Sequence, residues 1–362
     1  MAAVRAPSLS PERFDVRLSE LTTLRLGGPA RRVLDATSDE HVIEALAGPD
    51  AAGEPVLVVA GGSNLVIADS GFPGTVVRVL TRGVSVSANG AGALVVAAAG
   101  EPWDDLVARS VAEGLTGIEC LSGIPGSTGA TPIQNVGAYG QDVAETIAAV
   151  RVYDREAREV IELAGRGCGF SYRSSRFRRS ARYVVLGVSY ALERSPLARP
   201  VRYPGLAAAL GVKTGTRRPL AEVREAVLEL RRQKGMVIDP QDADSVSAGS
   251  FFVNPVLSSE QFAALARRVS GQLGAGAEPP AWADGRGRVK TSAAWLIEQA
   301  GFYRGYGDGR AGISSKHTLA LVNRGGATTA ELLALAREIR GRVWTAFGVR
   351  LEPEPTLVGV EL

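Results

Sequence analysis

Ser122-Gly123-Ile124-Pro125-Gly126-Ser127-Thr128-Gly129-Ala130-Thr131-Pro132-Ile133-Gln134-Asn135-Val136-Gly137-Ala138-Tyr139-Gly140 contains no charged side chain and is dense in glycine and small hydroxyls. A backbone of that kind can lie along a large, flat, diphosphate-bearing ligand without burying an unpaired charge. A flexible surface loop has a similar composition. Ile124, Ile133, Val136 and Tyr139 nevertheless give this one apolar anchors, so it is expected to pack onto something. Together with Gly117 it also makes a segment too long for an ordinary connection.

Upstream, Val56–Val59 reads as a strand leaving abruptly into Ala60-Gly61-Gly62-Ser63-Asn64. Consecutive small residues let backbone N–H groups converge on an anion, and Ser63 and Asn64 can add hydrogen bonds. An ordinary strand-exit turn reads the same way. Ser38-Asp39-Glu40 marks a helix start, with Val42, Ile43, Ala45 and Leu46 on its apolar face. Strands are expected at 75–80, 84–87 and 93–98, the last two joined at Ala88-Asn89-Gly90, and a helix from Pro102 to Glu113. Downstream follow strands at 150–153, 160–163 and 183–192, then a helix from Pro219 to about Gln233. The last third offers a strand at 250–257, helices at 259–269 and 292–300, and a strand at 319–322. A helix from Thr328 or Thr329 and a strand at 356–361 close the chain, and 274–287 reads as a surface loop. The elements do not alternate as clean βαβ units, which predicts an α+β protein of several domains.

At 362 residues the chain is long enough for two or three domains with their own cores. Lys and Arg (41) nearly balance Asp and Glu (38), and no basic cluster is interleaved with aromatics, so no nucleic-acid partner is expected. Cys120 and Cys168 cannot make a disulfide framework and fit a reducing cytosol. Residues 1–11 carry Arg5 without a following apolar stretch and do not read as a signal peptide. No apolar run approaches the ~18–20 residues that span a bilayer. A soluble, cytoplasmic protein with no membrane association is expected.

With only His41 and His317 as imidazoles and no HExxH or paired CxxC, no metal is expected. There is no Gly-Lys-Ser/Thr phosphate loop and no Gly-x-Ser-x-Gly elbow. Gly307-Asp308-Gly309-Arg310-Ala311-Gly312 matches the dinucleotide fingerprint, but it lacks the preceding strand and following helix that the fingerprint needs, and reads as a plain loop.

Three further stretches can carry chemistry. Phe170-Ser171-Tyr172-Arg173-Ser174-Ser175-Arg176-Phe177-Arg178-Arg179 joins arginines and aromatics in a way that suits a carboxylate or phosphate, or simply a solvated face. Ala248-Gly249-Ser250-Phe251-Phe252-Val253-Asn254-Pro255, if extended, puts Ser250, Phe252 and Asn254 on one side; a structural serine beginning a strand is the plainer reading. Leu351-Glu352-Pro353-Glu354-Pro355 holds two carboxylates stiffly apart, or is a Pro-stiffened connection.

In order and content these stretches resemble the UDP-N-acetylenolpyruvoylglucosamine reductase (UDP-N-acetylmuramate dehydrogenase) family, the flavoenzymes of peptidoglycan precursor synthesis. The resemblance runs from Thr22-Thr23-Leu24-Arg25-Leu26-Gly27-Gly28 to Leu351–Glu354 and is most specific in 124–141, 171–177, 249–256 and 295–301. It implies a vanillyl-alcohol-oxidase-type FAD-binding region of two α+β subdomains followed by an α+β substrate-binding domain. The expected divisions are 1–82 (joined by the C-terminal strand 350–362), 83–235 and 236–349. It also implies a branch with a tyrosine loop, here Pro200–Gly205 around Tyr203.

By that resemblance Gly61, Gly62, Ser63 and Asn64 hold non-covalent FAD. Ile124, Pro125, Gly126, Ser127, Thr128, Gly129, Ala130, Gln134, Asn135, Gly137, Ala138, Tyr139 and Gly140 join them, and Arg231 matches a flavin-contacting arginine. NADPH is the implied co-substrate: it gives a hydride to FAD, which then reduces C3 of the enolpyruvyl ether of UDP-N-acetylglucosamine. Arg173 would stabilise negative charge spreading into the carboxylate, Glu354 would polarise that carboxylate or hold Arg173, and Ser250 would protonate C2. Tyr172, Tyr203, Lys234, Asn254 and Gln299 are the implied substrate contacts.

Two departures from the family pattern stand out. Val253 replaces a frequent lysine, which removes a charge near the phosphate side, and Tyr203 stands in a Tyr-Pro-Gly rather than a Tyr-Gly form. A flavin oxidase of the same fold would share the glycine loops but have no use for the Arg173, Ser250 and Glu354 set. A non-catalytic nucleotide-sugar binder would need neither flavin nor NADPH. No obligate protein partner is expected.

Overall fold

The structure, a computed structural model, describes residues 12–285 and 287–362. The leader reading of 1–11 lies outside the described residues. Ser38 starts helix α1 (Asp39–Ala52) as expected: its hydroxyl accepts the His41 N–H at 3.2 Å, and Gly53 ends the helix at φ 63°. Pro102 and Pro219 sit one residue before helices α2 (Trp103–Ala112) and α4 (Leu220–Arg232), where a missing N–H costs nothing. A short α3 (Pro204–Ala209), not expected from the sequence, lies between them with Pro204 in its first turn.

These helices belong to the first of two compact units, which among the described residues comprises 12–17, Pro29–Gly62 and Phe72–Gln233. Its first sheet orders Arg13–Arg17, Pro29–Ala36, Phe72–Val79 and Val56–Val59, parallel except for the antiparallel first pair. The second is antiparallel: Glu159–Ala164, Ile147–Asp154, Tyr183–Arg194, Gly92–Ala98 and Val84–Asn89, with Leu115–Thr116 also on Tyr183–Arg194. One continuous core joins them, from Leu34, Val77 and Val79 through Trp103 and Leu106 to Val150, Leu186 and Tyr190. Buried apolar area of that extent is the main favourable term for such a unit, at roughly 25 cal/mol per Å².

The second unit comprises Leu18–Gly28, Ser63–Gly71 and Lys234–Leu362, three pieces far apart in the chain. Helices α5 (Ser259–Leu273) and α7 (Thr329–Phe347) both begin with complete capping boxes, Ser258 with Gln261 and Thr328 with Glu331. Helix α6 (Ala293–Gln299) is capped by Ser292. The core gathers Phe251, Phe252, Leu296, Ile297, Leu332 and Phe347, to which Leu24, Leu26 and Val66 contribute. The strand expected at 250–257 is not continuous. Ser247–Ser250 pairs with Ala320–Asn323, a bulge at Gly249 (φ 70°) breaks the register, and pairing resumes at Val256–Leu257. Phe251 and Phe252 are therefore both buried, and the strict alternation expected of Ser250, Phe252 and Asn254 does not hold.

Two loop readings also change. The 274–287 stretch contains a short strand, Trp282–Ala283, on the edge of a three-stranded sheet. The 307–312 string runs into a strand, Ala311–Ile313, and the Arg324 guanidinium donates to the carbonyls of Gly305, Tyr306, Gly307 and Ile313 beside it. That guanidinium occupies the space a phosphate loop would leave open.

Candidate functional site

In the first unit the two glycine motifs come together. A Cβ on Gly61 would stand 2.6 Å from Gly126 Cα, so only glycine permits that approach. The loop is fastened to the start of α2: the Trp103 N–H donates to Gly126 O at 3.0 Å, Thr128 N–H to Glu101 O at 2.8 Å and Gly129 N–H to Ala99 O at 2.8 Å. Gly123 N–H donates to the Asp104 carboxylate at 2.6 Å, which in turn takes both arms of Arg224 on α4. Burial pushes the Asp104 carboxyl up, but the Arg224 and Gly123 hydrogen bonds and the charges of Arg224 and Arg231 outweigh it and hold it below the usual carboxylate range. Of the four expected anchors, Ile124, Val136 and Tyr139 are half-buried, whereas Ile133 is 37% exposed and held instead through its carbonyl by the Ser175 hydroxyl.

Tyr139 (φ 49°) and Gly140 (φ 86°) form the two-residue turn of a hairpin pairing Gly137–Ala138 with Gln141–Asp142. Positive φ at both positions gives the twist that such hairpins require. The Tyr139 ring meets that of Tyr203 edge-on at 5.5 Å. Tyr203 caps α3, and a Cβ on Gly205 would press on the Tyr203 ring, which gives the Tyr-Pro-Gly form a local reason: Pro204 opens the helix and Gly205 leaves room for the ring. Arg231, at the end of α4, is buried; burial lowers its proton affinity, and the nearby Tyr139 and Asp104 raise it.

Arg173 lies at the tip of a tight turn closed by Ser171 and Ser174, with φ 49°. Its guanidinium donates to Asn135 O at 3.3 Å and to Gly137 O, faces the Asp142 carboxylate at 3.5 Å and stands 5.3 Å from the Tyr172 ring centre. The arginine run is thus not a solvated face. It delivers one guanidinium onto the carbonyls of the glycine loop. The sequence reading passed over two carboxylates here: Asp104, which accepts the Gly123 N–H, and Asp142, which faces the Arg173 guanidinium. The Tyr139-Gly140 turn was the signal that would have placed Asp142 opposite Gly137.

The second unit assembles another set. The segment bearing Glu354 runs beside the one bearing Ser250: Glu354 N–H donates to Phe251 O at 2.8 Å and Val253 N–H to Glu352 O at 3.1 Å. The Asn64 side-chain amide donates to Glu354 O at 3.4 Å, so the end of the glycine turn is tied to the same segment. Asn254 Oδ1 accepts the Ala293 N–H at the start of α6 at 2.9 Å, which commits that oxygen to the protein. Gln299, at the other end of α6, is exposed. Lys234 follows α4 and is half-buried.

His317 is largely enclosed, and burial, aided by the charges of Lys234 and Arg304, pushes its imidazole down to about 4. Its ordinary value is 6.5, so the unfolded chain takes up a proton first as pH falls. Stability contributed by the neutral ring is complete above about pH 6.5 and lost progressively toward pH 4, by about 3 kcal/mol. Thermal melts from pH 7.5 to 4 are expected to fall more steeply for the wild-type chain than for His317→Gln. Identical slopes would contradict this.

The FAD implied by the resemblance can be tested against these features. Ser127 Oγ and Thr128 Oγ1 are buried and, among the described residues, meet no hydrogen-bond partner, which leaves two donors at the tightest part of the glycine loop. With the bare backbone of Gly61 and Gly126, they fit a polar, diphosphate-bearing group. Among the described residues no cluster of His, Cys, Asp and Glu could hold a metal ion. Cys120 is buried, and burial pushes its thiol up, so it is a weak nucleophile near neutral pH.

Comparison with known proteins gives concordant results. Residues 30–163 match the family model described as FAD binding domain, and 239–358 match UDP-N-acetylenolpyruvoylglucosamine reductase, C-terminal domain. The chain is 56% identical to UDP-N-acetylenolpyruvoylglucosamine reductase of Streptomyces coelicolor, covering 99% of this chain and 94% of that one. It is also 56% identical to the Thermobifida fusca protein of that name, covering 96% and 98%. In fold it is similar to the crystal structure of the Thermus caldophilus enzyme, with a TM-score of 0.64 at 24% identity over 97% of this chain and 99% of that one.

Proposed function

Because the chain belongs to the UDP-N-acetylenolpyruvoylglucosamine reductase family, we propose a division of labour among its site residues for that family's reaction. The protein is an FAD-dependent oxidoreductase. It reduces the enolpyruvyl C=C bond of UDP-N-acetyl-3-O-(1-carboxyvinyl)-glucosamine with NADPH, giving UDP-N-acetylmuramate for peptidoglycan synthesis. FAD, when bound, would supply the two-electron carrier between NADPH and C3 of the enolpyruvyl group.

Gly61, Gly62, Gly126, Ser127, Thr128 and Gly129 hold the FAD diphosphate, and Asn135, Ala138, Tyr139 and Arg231 lie along the rest of it. Arg173 binds the substrate carboxylate and stabilises the charge that builds at C2 as C3 is reduced. Ser250 Oγ gives its proton to C2. A serine hydroxyl does this only in a site that excludes water and stabilises the alkoxide, which then regains a proton from solvent. Glu354 polarises the substrate carboxylate. Lys234 and Tyr203 take the diphosphate, and Tyr172, Asn254 and Gln299 contact the sugar nucleotide.

The observation that carries this reading is the direct backbone pairing of the Ser250 and Glu354 segments, with Asn64 of the glycine turn bonded to the same segment. We assign FAD binding to 1–82 with 350–362 and to 83–235, and sugar-nucleotide binding to 236–349. Thr356–Val358 pairs in parallel with Leu65–Ile67, a contact inside the second compact unit. We place the reaction in the cytoplasm, with no protein, membrane or nucleic-acid partner needed. No helix among the described residues is long and apolar enough to cross a membrane.

The test is NADPH consumption by the purified protein with and without the enolpyruvyl sugar nucleotide, with the product weighed by mass spectrometry. One NADPH consumed per product two hydrogens heavier is expected. NADPH oxidation that ignores the sugar and consumes oxygen would indicate the oxidase instead.

A further inference from the structure

Arg173 does not reach its position unaided. The hairpin turned by Tyr139-Gly140 sets Asp142 directly across from Gly137, and the Arg173 guanidinium lies over that pair, bonded to Gly137 O and facing Asp142 Oδ1 at 3.5 Å. A Cβ on residue 137 would run into the same Asp142 oxygen and come within 2.9 Å of Arg173 Nη1, so the glycine is what lets carboxylate and guanidinium close on one strand position. Asn135 O, at 3.3 Å, takes a further N–H. The Arg173 backbone sits at φ 49°, a conformation costly for arginine, and the Arg178 guanidinium holds its carbonyl there. Two carbonyls and one carboxylate thus act on the guanidinium fork.

We propose that Asp142 is a positioning residue for the reaction: its carboxylate, presented by the hairpin across from Gly137, sets the direction in which Arg173 presents its guanidinium to the substrate carboxylate. The two carbonyls by themselves fix the fork within its plane but let it rock about the line that joins them. The carboxylate, 3.5 Å from Nη1, opposes that rocking and offsets part of the arginine's charge until the substrate's own carboxylate arrives. A guanidinium shared between a fixed and an arriving carboxylate is aimed before binding, and small errors of aim at a reacting centre are costly. This inference rests on the assignment of Arg173 to the substrate carboxylate.

The experiment is a single-turnover measurement. The holoenzyme is reduced with NADPH under anaerobic conditions and mixed with the enolpyruvyl sugar nucleotide, and flavin reoxidation is followed for wild type, Asp142→Asn, Asp142→Glu, Arg173→Gln and the Asp142→Asn/Arg173→Gln double variant. Asp142→Asn is expected to slow reoxidation at saturating substrate about tenfold, and Asp142→Glu to recover most of that loss. The double variant is expected to be no slower than Arg173→Gln within about twofold, because Asp142 has nothing left to aim.

Asp142→Asn matching wild type while Arg173→Gln is slow overturns the positioning role and leaves the Arg173 assignment standing. Additive slowing in the double variant overturns it too, since Asp142 then acts independently of Arg173. Asp142→Asn protein purified without flavin assigns Asp142 to the stability of the hairpin and likewise overturns it. Arg173→Gln matching wild type removes the Arg173 assignment itself, and this inference with it.

Discussion

Ser250→Ala is expected to slow reduction of the enolpyruvyl sugar by about a thousandfold, some 4 kcal/mol of barrier, while NADPH still reduces the flavin at close to its normal rate. Hydride delivery to C3 leaves electron density at C2, which must be met by a proton. The structure puts Ser250 at the end of its strand, immediately before two buried phenylalanines, where the bulge at Gly249 turns the chain. Ser250 itself pairs with Ala320, and the next residues, Phe251 and Val253, carry the backbone bonds to the Glu354 segment. Alanine leaves the strand pairing intact and removes only the hydroxyl. The residual rate is then set by whatever water reaches C2. Stopped-flow traces of the two half-reactions, recorded separately, decide the matter. Equal slowing of both would make Ser250 a general structural residue and end its assignment as the proton donor.

Arg173→Gln should cost between about a hundredfold and a thousandfold in the same half-reaction and raise the substrate KM as well. The guanidinium would meet the carboxylate in the ground state and meet more charge in the transition state, so both parameters respond. Two consequences distinguish this from loss of an ordinary ion pair. Arg173→Lys keeps the charge but cannot satisfy Asn135 O, Gly137 O and a carboxylate with one planar fork, so it should recover only a small part of the rate. FAD should remain bound in both variants, because the bonds tying 123–129 to Asp104, Ala99, Glu101 and Trp103 do not involve Arg173. Full activity in Arg173→Lys would reduce the residue's role to that of a diffuse positive charge.

Much of the fold was legible because helix ends carry local chemistry. Ser38, Ser292 and Thr328 each accept a backbone N–H three residues on, and Pro102 and Pro219 stand where an N–H is not needed. The first two strands of the first unit were harder to see. Arg13–Arg17 and Pro29–Ala36 carry arginines whose partners, Asp35 for Arg13 and Glu54 for Arg32, are supplied only by folding. No local pattern could show that Leu18–Gly28 and Ser63–Gly71 leave the first unit for the second, since that depends on pairing such as Leu65–Ile67 with Thr356–Val358, nearly a chain length away.

The site divides in the same way. The glycine loop was legible from composition, because a charge-free stretch with apolar anchors has few other uses. The closeness of Gly61 to Gly126 was not, because it is a tertiary contact between two backbones. Ser250 was singled out for an alternation that the bulge at Gly249 cancels, so the residue was chosen with help from the family resemblance rather than from its strand geometry. Asp142 was missed because an acidic residue after a loop looks like any solvated side chain until the hairpin register places it against Arg173.

The central claim is that one protein carries out both half-reactions at one bound FAD. The most direct test is the visible absorbance spectrum of the purified protein under anaerobic conditions, first with NADPH and then with the enolpyruvyl sugar nucleotide. The account predicts flavin bands that bleach on NADPH addition and return only when the sugar nucleotide is supplied. A colourless protein that takes up no added FAD, or bands that NADPH bleaches and the sugar nucleotide fails to restore, would contradict it.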